Sequence, residues 1–185
     1  MNSNSKIYEP REDSSFLAEV VEKEARGEVL DIGTGSGIQA FAASKKADAI
    51  LGVDVNKDAV KFARSEAKKR GIENVRFIQS DLFEKVKGKF DLIIFNPPYL
   101  PEEPGLYEGS EQWAGGKTGR EVIERFAGKV RKYLKKDGKI LIVISSLTGL
   151  DEVKKIFQER GFSVKIVKEK KIPWEKLYVL EIRIG

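Results

Sequence analysis

A short apolar run that stops at two consecutive prolines constrains this chain more than any other feature. Residues Phe90–Phe95 are typical of a strand that is buried on both faces of a sheet. Pro97 and Pro98 end that strand abruptly, because proline cannot donate a hydrogen bond to a neighbouring strand. Asn96 is therefore predicted at the carboxyl end of a buried strand, which is the edge where open α/β sheets bind their ligands.

The composition removes several classes of chemistry. With Cys 0 and His 0, the chain of 185 residues has no thiol nucleophile, no imidazole base and no ordinary zinc site. Its net charge of +5 permits nucleic-acid binding without demanding it. No apolar run reaches the ~20 residues of a membrane span and the N-terminus lacks a signal-peptide core, so we expect a cytoplasmic protein without a metal of its own.

Helical and strand patterns alternate along most of the chain. This alternation predicts a doubly wound α/β fold whose sheet is mostly parallel and covered by helices on both faces. The last two strands are too close in sequence for a parallel crossover, so one strand near the C-terminus is predicted to be antiparallel. The seven predicted strands cover residues 29–32, 49–54, 75–79, 90–95, 139–145, 162–167 and 176–184. The five predicted helices cover residues 13–25, 38–44, 56–70, 119–134 and 150–160.

The chain shows no linker, repeat or low-complexity segment, so we expect one domain over residues 1–185. Residues 1–27 would form an N-terminal arm and a helix. Residues 100–118 have no periodicity and are rich in Pro, Gly and Glu. A structureless loop of this length in a compact domain is typical of a binding loop, so this segment is predicted to be a substrate lid.

A glycine-rich loop, with Gly33, Gly35 and Gly37, follows the first strand and opens a helix. Glycines allow a tight turn and close approach of a ligand to the backbone. A dinucleotide-binding fingerprint would place glycine or alanine after Gly37, but Ile38 stands there. The loop, with Asp31 before it, therefore favours S-adenosylmethionine over NAD.

Two carboxylates end neighbouring strands and are candidates for the same ligand. Asp54 ends the second strand, where a carboxylate can accept hydrogen bonds from ribose hydroxyls. Asp81 follows the third strand and could accept from the adenine amino group, or could cap the next turn.

The residues that follow the fourth strand suit a planar NH2 group. The side-chain oxygen of Asn96 and the backbone carbonyl of Pro97 could accept its two N–H bonds, and Tyr99 could pack against its plane. These three are the predicted catalytic residues, since alignment of a weak amide nucleophile can supply much of the rate acceleration. No titrating base is required, which agrees with the absence of histidine.

Three stretches resemble the release-factor glutamine methyltransferases, a HemK-like family of class I enzymes that use S-adenosylmethionine. Residues 8–14 are similar to the family's N-terminal segment, with Ser14 in place of threonine. Residues 96–99 match its acceptor motif, Asn-Pro-Pro-Tyr, and residues 113–121 are similar to its Trp-Ala-Gly-Gly segment. Only about 30 residues precede the glycine loop, which resembles the short archaeal and eukaryotic form of the family.

The resemblance implies a Rossmann-like class I methyltransferase fold and a donor site that yields S-adenosylhomocysteine. The cofactor-binding residues expected from the motifs and the resemblance are Ser14, Asp31, Gly33, Gly35, Gly37, Asp54, Asp81, Leu82 and Asn96. The expected substrate-binding residues are Asn96, Pro97, Pro98, Tyr99 and Trp113. The resemblance further implies that the acceptor is the glutamine of a Gly-Gly-Gln motif in a peptide-chain release factor. It also implies a small zinc-binding activator subunit on the edge strand, residues 75–79.

The acceptor motif leaves other activities open. An adenine or guanine amino methyltransferase would use such a motif, and the motif does not exclude a protein lysine methyltransferase. Four glutamates in the predicted lid would repel phosphates, so we do not expect a nucleic-acid substrate. An NAD-binding oxidoreductase or a non-catalytic nucleotide-binding module is a further alternative, against which Ile38 and the complete acceptor motif argue.

Overall fold

A computed structural model describes residues 12–98 and 119–185 of the chain. The helices are α1 (Glu12–Glu24), α2 (Ile38–Ala43), α3 (Lys57–Lys69), α4 (Glu121–Val130) and α5 (Leu150–Gln158). The strands are β1 (Glu28–Ile32), β2 (Ala49–Asp54), β3 (Val75–Gln79), β4 (Phe90–Phe95), β5 (Leu134–Ser145), β6 (Phe162–Ile172) and β7 (Glu175–Ile184).

The seven strands form one sheet in the order β3-β2-β1-β4-β5-β7-β6. Strands β1 to β5 pair in parallel, and β7 is antiparallel to both of its neighbours. The predicted doubly wound sheet with one antiparallel strand near the C-terminus is therefore confirmed. Strand β3 lies at one edge, as the sequence interpretation required.

The strand order reverses beside β1, where β2 lies on one side and β4 on the other. In an open α/β sheet this switch point forms the ligand crevice. Ile32 pairs with Phe95 at the ends of β1 and β4. Gly33 directly follows Ile32, and Asn96 directly follows Phe95, so the topology alone places the glycine loop beside Asn96.

Strand β4 contributes to both hydrophobic cores, as expected for a strand covered on both faces. Ile93 and Phe95 belong to the core packed by α4 and α5. Leu92 and Ile94 belong to the core packed by α1, α2 and α3. All four side chains are at most 1% exposed, so they fix the position of Asn96, the next residue along the chain.

The predicted element boundaries are wrong in three parts of the chain. Helix α4 ends at Val130, four residues early, because a turn closes through the hydrogen bond from Tyr133 N to Val130 O. Strand β5 begins at Leu134 instead of residue 139, since Leu134 pairs with Phe90 ahead of an irregularity in the register. The final hairpin extends to Ile172 and Glu175, beyond the predicted strand ends.

None of the helices in the described ranges is long and apolar enough to cross a membrane.

Candidate active site

The glycine loop is a tight turn held together by its own backbone. Gly33, Gly35 and Gly37 have φ angles of 66°, 53° and 87°, a region that disfavours residues with a Cβ atom. The amide of Gly35 donates to Asp54, and that of Gly37 donates to the carbonyl of Thr34 at 2.8 Å. Both amides are therefore used within the protein, which leaves them unavailable to cradle a pyrophosphate.

Asp54 connects the end of β2 to the glycine loop. Its Oδ2 accepts from Gly35 N at 2.8 Å, and its Oδ1 accepts from Asn56 N at 2.8 Å. Burial raises the pKa of Asp54, and the backbone amides of Asn56 and Gly35 oppose that rise. A carboxylate has about four acceptor positions, so Asp54 can still accept from a ligand hydroxyl.

Asp31 is a buried carboxyl group with no cationic partner in the described part of the chain. It is 1% exposed, and its Oδ2 accepts from the Thr34 hydroxyl at 2.6 Å. Burial raises the pKa of Asp31 to about 7, although Thr34 and the Ala40 amide lower it, and nearby Asp54 raises it further. Its Oδ1 is buried without a hydrogen-bond partner.

Asn96 is oriented by the first turn of α1. Its Nδ2 donates to Ser14 Oγ at 3.1 Å and to Asp13 Oδ2 at 3.3 Å. These two acceptors decide which way the amide is flipped, so Oδ1 faces away from them. That Oδ1 is buried and has no hydrogen-bond partner in the described part of the chain. Because buried acceptors are normally satisfied, an orphaned oxygen here indicates a place for a donor from a ligand.

Gln39 is a site residue that the sequence interpretation missed. Its Nε2 donates to the backbone carbonyl of Ser14 at 2.9 Å, and its Oε1 is another buried acceptor without a partner. Gln39 is 2% exposed on α2, where the other five residues are apolar. A buried polar side chain in an otherwise apolar helix was the available signal. Asp13, which accepts a hydrogen bond from the Asn96 amide, was also missed.

The other residues expected in the site have different surroundings in the structure. Pro97 is buried and Pro98 is half-buried, directly after Asn96. Asp81 forms an ion pair with Arg125 at 2.5 Å, an interaction that was not anticipated. Leu82 is 7% exposed and has a φ of 46°, so the chain turns sharply after β3. Tyr99 and Trp113 lie outside the described residues, as does the predicted lid.

The site is acidic, which decides between classes of ligand. Asp31 and Asp54 lie on or next to the glycine loop, and neither has a Lys or Arg among its hydrogen-bond or ion-pair partners in the described part of the chain. Buried carboxylates disfavour an anionic dinucleotide and favour a ligand that carries positive charge. Together with the occupied loop amides, this argues against an NAD site.

Comparisons with known proteins agree with this geometry. The sequence profile of the methyltransferase small domain family matches residues 10–172. A protein from Methanocaldococcus jannaschii, provisionally named protein N5-glutamine methyltransferase, is 44% identical over 178 residues, which cover 94% of this chain and 90% of that protein. Methyltransferase HEMK2 of Mus musculus is 34% identical over 170 residues, which cover 84% of this chain and 79% of the relative.

A solved structure shows the same architecture. It is the E. cuniculi Mtq2-Trm112 complex, described as responsible for the methylation of the eRF1 translation termination factor. The match has a TM-score of 0.77 and 27% identity, and covers 96% of this chain and 98% of that chain. The chain therefore belongs to the methyltransferase small domain family and, within it, to the branch that contains the protein glutamine methyltransferases and HEMK2.

Proposed function

We propose that this methyltransferase transfers a methyl group from S-adenosylmethionine to the side-chain amide nitrogen of a protein glutamine, in the Gly-Gly-Gln motif of a peptide-chain release factor. The observation that carries the proposal is the fixed amide of Asn96. Its nitrogen is held by α1, its oxygen is an orphaned acceptor, and it lies beside the glycine loop at the sheet's switch point.

The residues around the loop fit the methyl donor. S-adenosylmethionine carries a sulfonium and an ammonium group, and when bound it supplies a methyl group activated for transfer. Asp31 Oδ1 and Gln39 Oε1 are buried acceptors without partners, which suits a cationic ligand with several N–H donors. Asp54 would accept from the ribose hydroxyls, and Asp81 and Leu82 would border the adenine. Ser14 and Gly33 complete the site that we propose.

Asn96 and Pro97 would align the acceptor. A carboxamide nitrogen is a weak nucleophile because its lone pair is delocalised into the carbonyl group. We propose that Asn96 Oδ1 and the Pro97 carbonyl accept its two N–H bonds, which aims the nitrogen toward the donor and stabilises positive charge that develops on it. Tyr99 would pack against the flat amide. The orientation of Asn96 is set before substrate arrives, because Ser14 and Asp13 already hold its nitrogen.

The names of the relatives support glutamine as the acceptor over lysine or a nucleobase. The M. jannaschii relative is named for glutamine N5 methylation, and the E. cuniculi complex for methylation of a translation termination factor. The acceptor geometry itself would accommodate any planar NH2 group. The acidic site adds an independent argument against a polyanionic substrate.

Strand β3 is the site that we propose for a small zinc-binding activator subunit. Ile50 N donates to Asn74 O and Ser80 N donates to Asp54 O, so the even-numbered residues of β3 face β2. Phe77 and Gln79 therefore direct their backbone groups outward. Arg64 occupies part of this edge, since its side chain donates to Phe77 O at 2.6 Å and 3.0 Å. The neighbouring surface depression, about 560 Å³ between α3 and β3, could receive a partner's side chains.

The proposal is tested with Asn96→Ala. This variant removes the oriented oxygen and should lose about 2–4 kcal/mol of transition-state stabilisation, the scale for one oriented polar group at a reacting centre. Single-turnover methylation of a release factor measures the loss, and calorimetry with S-adenosylmethionine should show that donor binding persists. Asn96→Asp is the matched variant, since it keeps an oxygen but removes the N–H donors to α1. Near-wild-type turnover of Asn96→Ala would refute the role of Asn96.

A further inference from the structure

The tip of the β6–β7 hairpin carries features that folding does not require. The two strands are joined by Pro173 and Trp174, and Trp174 is 98% exposed. Trp174 also has a φ of 72°, a left-handed conformation that residues with large side chains rarely adopt. Pro173 cannot take a positive φ, so this turn places the positive φ on the second residue, where glycine is the usual choice. A tryptophan here costs conformational energy and gains no burial.

Two lysines beside the turn are also unfavourable for the isolated chain. Lys171 and Lys176 are paired in register across the hairpin, and both are exposed. Like charges directly opposite each other destabilise an antiparallel pair. Neither lysine forms an ion pair within the described part of the chain. Strained and unfavourable groups that persist in a structure are found at functional sites.

The hairpin is held rigidly against the rest of the fold. Lys170 Nζ pairs with Glu12 Oε1 on α1 at 2.5 Å, and Lys168 lies 4.5 Å from the centre of the Phe16 ring. At the other side, Ser146 N donates to Lys176 O at 2.7 Å, and Lys176 N donates to Ser146 Oγ at 3.0 Å. The backbone that carries the exposed tryptophan is therefore anchored at both sides, and a binding residue is best presented from a rigid element.

The tip projects from the same edge of the sheet as Asn96. Phe95 pairs with Ile142, so Asn96 lies level with Val143, whose partner on β7 is Val179. Trp174 precedes Val179 by five residues, just before β7 begins, which places it about 15 Å beyond that level, because β7 is antiparallel to β5. Strand β7 lies two strand spacings, about 10 Å, from β4. One protein bound at Asn96 can therefore reach the tip, because an interface of ordinary size spans these distances.

We propose that Trp174, flanked by Lys171 and Lys176, docks an acidic surface of the protein that carries the acceptor glutamine. This inference rests on the proposed function. Tryptophan is enriched among residues that dominate protein interfaces, and the two lysines supply the complementary charge. A single exposed aromatic residue at the tip of a hairpin that also carries Glu169 and Glu175 does not form the basic, aromatic-lined groove of a nucleic-acid site.

The test uses Trp174→Gly, which removes the ring and relieves the left-handed strain. Stability and S-adenosylmethionine affinity should stay at wild-type levels or rise. With a whole release factor, KM should rise by about tenfold or more with little change in kcat, as for loss of an interface hot spot. With a short Gly-Gly-Gln peptide, which cannot reach the tip, kcat/KM should be unchanged. The double variant Lys171→Glu/Lys176→Glu should also raise KM for the whole factor only.

Val167→Thr is the matched control, because Val167 is an exposed apolar residue of the same hairpin away from the tip. An unchanged KM for the whole factor in Trp174→Gly would overturn the docking inference alone. Loss of binding to a single-stranded RNA oligonucleotide, with protein methylation intact, would also overturn it and assign the tip to nucleic acid. Failure of the wild-type chain to methylate either acceptor, both with and without the activator subunit, would overturn the proposed function, and this inference with it.

Discussion

Asp31→Asn should make the free protein more stable at neutral pH while weakening its affinity for the methyl donor. Asp31 is fully buried, and no cation offsets its charge in the described part of the chain. Asparagine has nearly the same shape, and its side-chain oxygen can still accept from the Thr34 hydroxyl. The substitution therefore removes a buried charge without opening a cavity.

The magnitude follows from the pKa of this group. Burial raises the pKa of Asp31 from 3.8 to about 7. A difference of about three pH units corresponds to about 4 kcal/mol, which is the cost of keeping the carboxylate charged in the folded protein above pH 7. This value is the upper limit of the gain, because the Ala40 amide, which lowers the pKa of Asp31, favours an acceptor at this place over the NH2 group of asparagine.

The pH dependence isolates the charge from that packing cost. Between about pH 4 and pH 7, folded Asp31 keeps its proton while the unfolded chain has lost it, so the folded state binds more protons. The contribution of Asp31 to the free energy of unfolding therefore falls as the pH rises through this range, and then levels off. Asp31→Asn has no such dependence, whereas its packing cost is the same at every pH.

Urea unfolding of both proteins at pH 4.5, 6 and 8 measures the difference. We expect the stability of Asp31→Asn relative to wild type to rise with pH, by up to about 4 kcal/mol. Calorimetry at pH 8 should show donor binding weaker by about 1.5–3 kcal/mol, the contribution of a hydrogen bond to a charged group. A stability difference between Asp31→Asn and wild type that does not change with pH would refute a buried charge on Asp31. Unchanged donor affinity would refute the role of Asp31 in binding the donor.

Two further substitutions test other parts of the account. Asp54→Ala should weaken S-adenosylmethionine binding measured by calorimetry, because the proposed ribose acceptor and the support of Gly35 are both lost; unchanged affinity would refute the ribose role. Gln79→Pro removes an outward N–H from the exposed edge of β3 and should weaken association with an activator subunit while donor affinity persists. Gln79→Val keeps that N–H and is its control, and equal association of both variants would contradict a partner that extends the sheet.

Sequence patterns predict the candidate site because its residues lie at the ends of mostly apolar strands. Such strands run to the carboxyl edge of a parallel sheet, so Gly33, Asp54 and Asn96 could be assigned to one edge from the sequence alone. The antiparallel end of the sheet was predictable from the short connection between the last two strands. The contacts that orient Asn96 were not predictable, since they join Asp13 and Ser14 to a residue more than 80 positions away.

The tip of the β6–β7 hairpin escaped prediction for a related reason. The run from Lys168 to Lys171 has no apolar alternation, so it was interpreted as a connection between shorter strands. In the structure, Lys168 and Lys170 pair with Glu19 and Glu12, which are 149 and 158 residues away in the sequence. Ion pairs to distant residues accompany the longer strands here, and no local hydrophobic pattern in the sequence marks them.

The central claim is that a flat amide, presented by a protein, is held beside the methyl donor at the end of β4. Its most direct test is to incubate the chain with labelled S-adenosylmethionine and a release factor, with and without the activator subunit, and to map the label by mass spectrometry. We predict a single methyl group on the side-chain nitrogen of the Gly-Gly-Gln glutamine. A label on lysine, or one found only when RNA or DNA is supplied, would contradict it.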